Sequence, residues 1–218
     1  PKWNSVKTKA GQDLLACQNS KTGLVPDWCS WSDHKPVNTS ASVAQNDNPG
    51  FFDDAARTPW RMAWAYYWYN NNDAKTFNGK ILPWMYAESK GTASNINSGY
   101  YPDGTLSSKR DNFVSSTFSG GLGLAAASDE TDAGRNFMGT VYKTLSNMTS
   151  CATGNGCGGA TPGEKYYPST LNILYLLLMT GNMPNLYDLN GFTQFTPDPS
   201  LAPSVSDIDG EQMAKGDT

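Results

Sequence analysis

Positive charge is scarce in this sequence. Lys and Arg number 16 against 20 Asp and Glu, a formal net charge of −4, and no run of basic residues concentrates them. A phosphate backbone or an anionic lipid surface finds no electrostatic footprint here, so nucleic acid is not an expected partner. His34 is the single histidine, set in a polar loop; a His-dependent triad and a His-rich metal site both lack their ligands, and neither metal nor cofactor is expected. No glycine-rich phosphate loop appears. The longest apolar run, Ile173 to Met179, is far short of the roughly 20 residues a bilayer span needs, so no membrane partner is expected either. Tandem repeats are absent and strand patterns few. The chain opens at Pro1 partway into a helical pattern, with no initiator Met, signal peptide or twin-arginine segment, and so reads as a processed or excised piece.

What is present is an aromatic, foldable chain. With 38% hydrophobic and 12% aromatic residues in 218 positions, composition lies far from that of disordered chains, and the length suits one domain. Helices are expected at 2–18, 54–71, 73–90, 111–127, 130–149 and 168–181, joined by long loops at 19–53, 91–110 and 150–167. Pro59 falls in the first turns of the second helix, where proline is tolerated, and Gly181 closes the last. The second helix, DAARTPWRMAWAYYWYNN, is apolar or aromatic almost all round, which implies burial on more than one side or a face lining a ring-coated cleft. A domain over 1–190 is expected, followed by a Pro-, Ser- and Asp-rich tail or linker over 191–218. Within that tail DIDG lacks the remaining ligands of a calcium loop.

Four cysteines form two close pairs, Cys17 with Cys29 and Cys151 with Cys157. Neither spacing is that of a zinc site, so two local disulfides and hence a secreted or extracellular location are the favoured reading, with reduced core thiols as the alternative.

Seven Trp and eleven Tyr cluster in loops and at helix ends beside Asn, Asp and Gly, a combination suited to stacking on sugar rings while amides and carboxylates bond their hydroxyls. Trp28, Trp31, Tyr100, Tyr101, Tyr166 and Tyr167 are the candidates; Trp64, Trp68 and Trp84 read as core. Chemistry concentrates in Asp53-Asp54-Ala-Ala-Arg57, where a loop meets the apolar helix. A carboxylate there feels the helix N-terminus, and Arg57 lies one turn beyond Asp54 on the same face. An oriented, ionised carboxylate is a general base; the competing reading is an N-cap aspartate beside a salt bridge.

Three blocks carry a resemblance. Lys21-Thr-Gly-Leu-Val-Pro-Asp-Trp-Cys29, Phe51-Phe-Asp-Asp-Ala-Ala-Arg-Thr-Pro-Trp-Arg61 leading into Trp64-Ala-Tyr-Tyr-Trp-Tyr69, and Tyr166-Tyr-Pro-Ser-Thr-Leu171 leading into Leu176-Leu-Leu-Met-Thr-Gly-Asn-Met-Pro184 resemble glycoside hydrolase family 8 in order and spacing. The resemblance covers about residues 1–188 and corresponds to the C-terminal half of that family's catalytic domain. It implies an all-α fold, about half of an (α/α)6 barrel with long cleft-forming loops, and inverting hydrolysis of a β-1,4-linked glycan by a carboxylate base and a separate carboxylic acid. The family's base, in a Tyr-Asp-Ala-x-Arg-x-Pro-Trp motif, falls on Asp54 and its arginine on Arg57. The family's active-site tyrosine falls on Tyr166 or Tyr167.

This chain departs from the pattern at two places. Asp53 stands where the motif has Tyr, putting a second carboxyl beside the base, either coupled to it or facing solvent. The family's acid is a glutamate from the N-terminal half, and nothing here matches its surroundings; Ala127-Ser-Asp-Glu-Thr-Asp132 superficially resembles a signature of that half, but helix capping accounts for Ser128, Asp129 and Glu130. A second polypeptide carrying the N-terminal half is therefore an expected partner. β-1,4-Glucan is the leading substrate, with xylan and then chitosan as competitors. A non-catalytic carbohydrate-binding or scaffold protein is the alternative from another class.

Overall fold

A computed structural model of the chain describes residues 2–37, 49–107, 114–149, 166–183 and 185. Its regular elements are all helical: α1 Lys2–Ala16, α2 Thr58–Tyr69, α3 Asn72–Glu88, α4 Ser116–Gly123, α5 Asp132–Thr149 and α6 Tyr166–Met179. Short 3₁₀ turns at Ala55–Arg57, Ala93–Asn95 and Leu124–Ser128 join them, and isolated bridges such as Phe51 to Tyr100 are the extended pairings among the described residues. The fold is all-α, as expected. Two units divide the chain, Pro1–Met183 and Pro184–Thr218; the described helices belong to the first. The boundary expected near 190, the tail 191–218, and Cys151 and Cys157 lie outside the described residues.

Each expected helix has a counterpart with adjusted ends. The stretch 54–71 begins not as α-helix but as the 3₁₀ turn Ala55–Arg57, and Pro59 then sits in the first turn of α2, the position that its missing N–H and fixed φ suit. Asn70, at φ 48°, closes α2 in the left-handed region, and Asn71 caps α3 by accepting from the amides of Asp73 and Ala74 at 2.9 and 3.2 Å. Two asparagines thus fold α2 back on α3. The stretch 111–127 is shorter as an α-helix than expected, because after Gly123 the chain tightens into the 3₁₀ turn Leu124–Ser128. Gly181, at φ 71°, stands just beyond α6.

Helix α4 is buried along its whole length. Its sequence, STFSGGLG, can be buried so because its glycines let neighbours approach to backbone distance. A Cβ on Gly120 would lie 2.2 Å from the Tyr175 ring of α6, and one on Gly121 would lie 2.1 Å from the Ala56 carbonyl oxygen. One core cluster joins Phe118 and Leu122 of α4 to Phe51 and Ala56, Trp60 of α2, Ile81 of α3, Val141 of α5 and Tyr175 of α6. The turn that carries Asp54 is therefore seated on the most buried of the described helices.

The aromatic side chains of α2 stack along the helix. Trp60, Trp64 and Trp68 follow one another at centroid separations of 5.5 and 4.6 Å, and Trp60 meets Tyr175 edge-on at 5.3 Å. Trp60 is buried, Trp64 is half-buried against the core, Trp68 is half-buried, and Tyr67 and Tyr69 are exposed. Trp84 packs at right angles on Tyr100, 5.0 Å between centroids.

Capping at the start of α5 differs from expectation. Thr131 does it, its hydroxyl accepting from the Gly134 amide at 3.3 Å. Ser128 instead accepts from buried Asn78 at 3.0 Å, Asp129 accepts from the Thr131 amide and the Tyr86 hydroxyl, and Glu130 accepts from Tyr66 and Lys75. Tertiary partners have taken the side chains that local sequence offered to the helix end. Cys17 and Cys29 form a disulfide that ties the end of α1 to the loop at 22–29.

Candidate active site

Asp54 opens the 3₁₀ turn, and its side chain stays 54% exposed while Ala55 and Ala56, which follow, are buried. It makes no capping hydrogen bond; instead it accepts from Nη2 of Arg57. Of the reading that competes with a general base, an N-cap aspartate beside a salt bridge, the salt bridge is present and the capping hydrogen bond is not. Arg57 is half-buried, its guanidinium 5.9 Å from the centre of the Tyr167 ring, a cation–π geometry that limits where the guanidinium sits. Its Nε is buried with no hydrogen-bond partner among the described residues. A carboxylate held outward by a guanidinium that is itself held by a ring is an oriented proton acceptor.

The backbone beneath Asp54 is fixed from several sides. Phe51 exchanges hydrogen bonds with Tyr100, N to O at 2.8 Å and O to N at 3.2 Å. The Tyr167 hydroxyl donates to the Asp53 carbonyl oxygen at 3.0 Å. Oδ1 of Asp27 accepts from the amides of Phe52 at 3.2 Å and Ala55 at 2.7 Å, so the Asp27 carboxyl does the capping that Asp54 does not. Asp27 in turn donates its own amide to Gly50 O at 2.7 Å. Burial pushes the Asp27 carboxyl up to about 6, against the two amide hydrogen bonds that favour its charge and with the nearby Asp54 and Asp53 carboxylates adding to the rise. Burial likewise raises the Tyr167 hydroxyl above its ordinary value, partly offset by Arg57.

Other expected site residues separate into groups. Asp53 is half-buried beside Asp54. Tyr167 joins the Asp54–Arg57 cluster, whereas Tyr166 projects 84% exposed at the start of α6. Trp28 and Trp31 are exposed; Trp28 directly follows Asp27, and Trp31 lies under the Lys9 ammonium at 5.1 Å. Tyr101 is half-buried, edge-on to Phe52 at 6.2 Å.

Tyr100 corrects its expectation. It is wholly buried, its hydroxyl accepts from the Asn97 amide at 2.8 Å, and burial pushes that hydroxyl up to about 12. No face remains for a ligand; the ring is core, and its backbone anchors Phe51. His34 pairs with Asp13 at 2.9 Å, away from these residues in sequence and bonding. Among the described residues no group of three or more His, Cys, Asp or Glu is arranged to hold a metal ion, and no helix is long and apolar enough to cross a membrane.

Asp27 is the member of the cluster that sequence reasoning passed over. Its signal was a charged residue inside the apolar block Gly-Leu-Val-Pro-Asp-Trp, in a loop whose partners lie 25 and 28 positions away.

Comparison with known proteins bears on what this cluster is. The chain is 31% identical to Endoglucanase C of Ruminiclostridium cellulolyticum over 204 residues, covering 94% of this chain and 38% of that protein. It is 33% identical to Endoglucanase A of Acetivibrio thermocellus over 218 aligned positions, 96% of this chain and 40% of that one. The similarity is to endoglucanases. A Beta-glucanase of Niallia circulans matches at 26% identity, over 83% of this chain and 41% of its own. The chain thus spans about two fifths of the length of the curated relatives it matches. No family model matches. Among solved structures, the apo structure of a beta-1,3-1,4-glucanase from Paenibacillus sp. X4 superposes with a TM-score of 0.63 at 24% identity, over 82% of this chain and 43% of that one, a likeness of fold.

Proposed function

We propose that this chain is the base-bearing half of a secreted, inverting endo-glycosidase of glycoside hydrolase family 8, acting on a β-1,4-linked glucan. The observation that carries the reading is the exposed Asp54 carboxylate held by Arg57, which the Tyr167 ring holds in turn. In the proposed reaction Asp54 takes a proton from a water molecule as that water attacks the anomeric carbon, and a carboxylic acid from the N-terminal half protonates the leaving oxygen. Arg57 keeps Asp54 aimed. The exposed rings of Tyr166, Trp28 and Trp31 suit stacking on sugar units. Hydrolysis of this kind needs no cofactor.

Several observations support the parts of this reading. The relatives are named endoglucanases and beta-glucanase, which favours a β-glucan over xylan or chitosan. The share of those relatives that the chain spans fits about half of an (α/α)6 barrel, completed by an N-terminal half on another polypeptide. Apolar side chains on three helices, Trp3 and Val6 of α1, Tyr67 of α2 and Ile173 of α6, stand exposed, as surfaces awaiting that half would. The Cys17–Cys29 disulfide supports an extracellular setting.

Stereochemistry tests the mechanism. Hydrolysis of a soluble β-1,4-glucan by the chain assembled with its N-terminal half, followed at once by proton NMR, is expected to release the new reducing end as the α-anomer. Initial release of the β-anomer contradicts inversion, and binding with no sugar release makes the protein a carbohydrate-binding scaffold.

A further inference from the structure

The turn that presents Asp54 is gripped on both sides of the residue. Oδ1 of Asp27 takes the amide that precedes the Asp53–Asp54 pair, that of Phe52, and the one that follows it, that of Ala55. On the opposite edge the Tyr167 hydroxyl takes the carbonyl oxygen of Asp53. Three hydrogen bonds thus fix four consecutive residues, and Asp54 is the one of the four whose side chain is left exposed.

Asp27 is itself well anchored. Val25 and Pro26 before it are buried, its own amide donates to Gly50, and Cys29 two positions on is joined to Cys17. Gln18 Nε2 ties the start of the same loop to α3 by donating to the carbonyl oxygens of Gly23 at 2.8 Å and Phe77 at 2.9 Å. A rigid support gives a hydrogen bond its positioning value, because an acceptor that moves with its donor fixes nothing. A half-buried carboxyl is also a costly way to satisfy two amides when water or a serine would do.

From this geometry we infer that Asp27 is a positioning residue for the general base, setting the height and direction of Asp54 through the two backbone amides that flank it. The inference rests on the reading of Asp54 as base. Asp27 acts through the acceptor position of Oδ1, which is the same whether the carboxyl is charged or neutral. Its negative charge is incidental to the role, and three substitutions separate acceptor from charge. Asp27→Asn keeps an oxygen at the same distance from the backbone and removes the charge. Asp27→Glu keeps the charge and displaces the acceptor by one methylene. Asp27→Ala removes both.

Kinetics on soluble β-glucan, with the chain assembled with its N-terminal half, are the test. Displacement of a catalytic group by an ångström costs about 100-fold, so kcat should fall by about that factor in Asp27→Ala and Asp27→Glu. KM should hold within about threefold in every variant, and kcat of Asp27→Asn within about threefold of the parent, because substrate contacts are untouched and the acceptor is retained. A folded Asp27→Glu with parental kcat overturns the inference by showing that the acceptor's position does not matter, and an Asp27→Asn as impaired as Asp27→Glu overturns it by showing that an acceptor at that place does not suffice. Should Asp27→Ala fail to fold, the Asn and Glu pair still decides.

Amide hydrogen exchange on this chain supplies a second readout. Phe52 and Ala55 should be as protected in Asp27→Asn as in the parent and less so, by about tenfold or more, in Asp27→Glu; unchanged protection in Asp27→Glu contradicts the grip itself. Asp54→Asn serves as the reference. If that variant keeps full activity, the assignment of Asp54 as base has failed, and the exchange data then report on Asp27 alone.

Discussion

Asp27 shows most plainly how one half-buried carboxyl sets a local energy balance. Two amide hydrogen bonds favour its carboxylate form, yet desolvation outweighs them and lifts the group from 3.8 to about 6. The sign follows from linkage: a carboxyl whose proton affinity is higher folded than unfolded stabilises the fold when neutral. Its contribution is complete below about 4 and is lost as pH rises through about 6. The loss amounts to roughly 3 kcal/mol at neutral pH, taking about 1.4 kcal/mol per unit. Asp53, Asp54 and Tyr167 lie close enough to interact with it electrostatically, and the first two add to the rise. Asp27→Asn removes the titration and keeps the acceptor, so its melting temperature relative to the parent should increase between pH 4 and pH 7, by several degrees for a chain of this size. Carboxyls held low by their partners, such as Asp13 with Lys9 and His34, act with the opposite sign in both proteins and cancel in the difference. A melting difference that stays flat over that range contradicts a raised Asp27.

At this scale the sequence was informative where partners are close along the chain and silent where they are not. Asp54 and Arg57 are three residues apart, and their pairing was legible from helical spacing. Tyr167 was placed near the site but not in its role, because its hydroxyl reaches 114 positions back to Asp53. Tyr100 was misread because the loop holding it has no periodicity to betray burial; its bridges to Phe51 and Leu106 pull it inside.

Among the elements, α4 decides where the site can stand. Its glycines are short side chains in a position that demands them, since the Ala56 carbonyl of the Asp54 turn rests against Gly121. A Cβ at Gly121 meets backbone at 2.1 Å, which cannot yield as a flexible side chain would, so Gly121→Ala must push the turn away or expand α4. Overpacking of this kind costs about 1–3 kcal/mol, and we expect Gly121→Ala to lower the melting temperature by several degrees and to reduce activity further than its folded fraction explains. Exposed Gly79 on α3 has nothing within 4 Å of the corresponding Cβ, so Gly79→Ala should hold or gain about 0.5–1 kcal/mol through helix propensity. Equal effects of the two substitutions on denaturant midpoints contradict the packing account. All six helices were legible from apolar spacing and from proline and glycine punctuation. Their ends were less so: the 3₁₀ turns at 55–57 and 124–128 continue a helical pattern with a tighter winding. The α5 cap moved to Thr131 because Asn78, Tyr86, Tyr66 and Lys75 claim the three side chains before it.

For the whole molecule, the proposal is that an oriented carboxylate works only when an acid faces it across a completed cleft. The apolar side chains exposed on α1, α2 and α6, and the two fifths of each curated relative that the chain spans, are the observations behind it. The most direct measurement is reducing-sugar release from soluble β-glucan by three preparations: this chain alone, the chain assembled with its N-terminal half, and the same assembly carrying Asp54→Asn. We predict negligible release by the chain alone, release by the assembly, and a fall of at least several hundredfold with Asp54→Asn, in line with what a general base contributes. Undiminished release by the Asp54→Asn assembly contradicts the account.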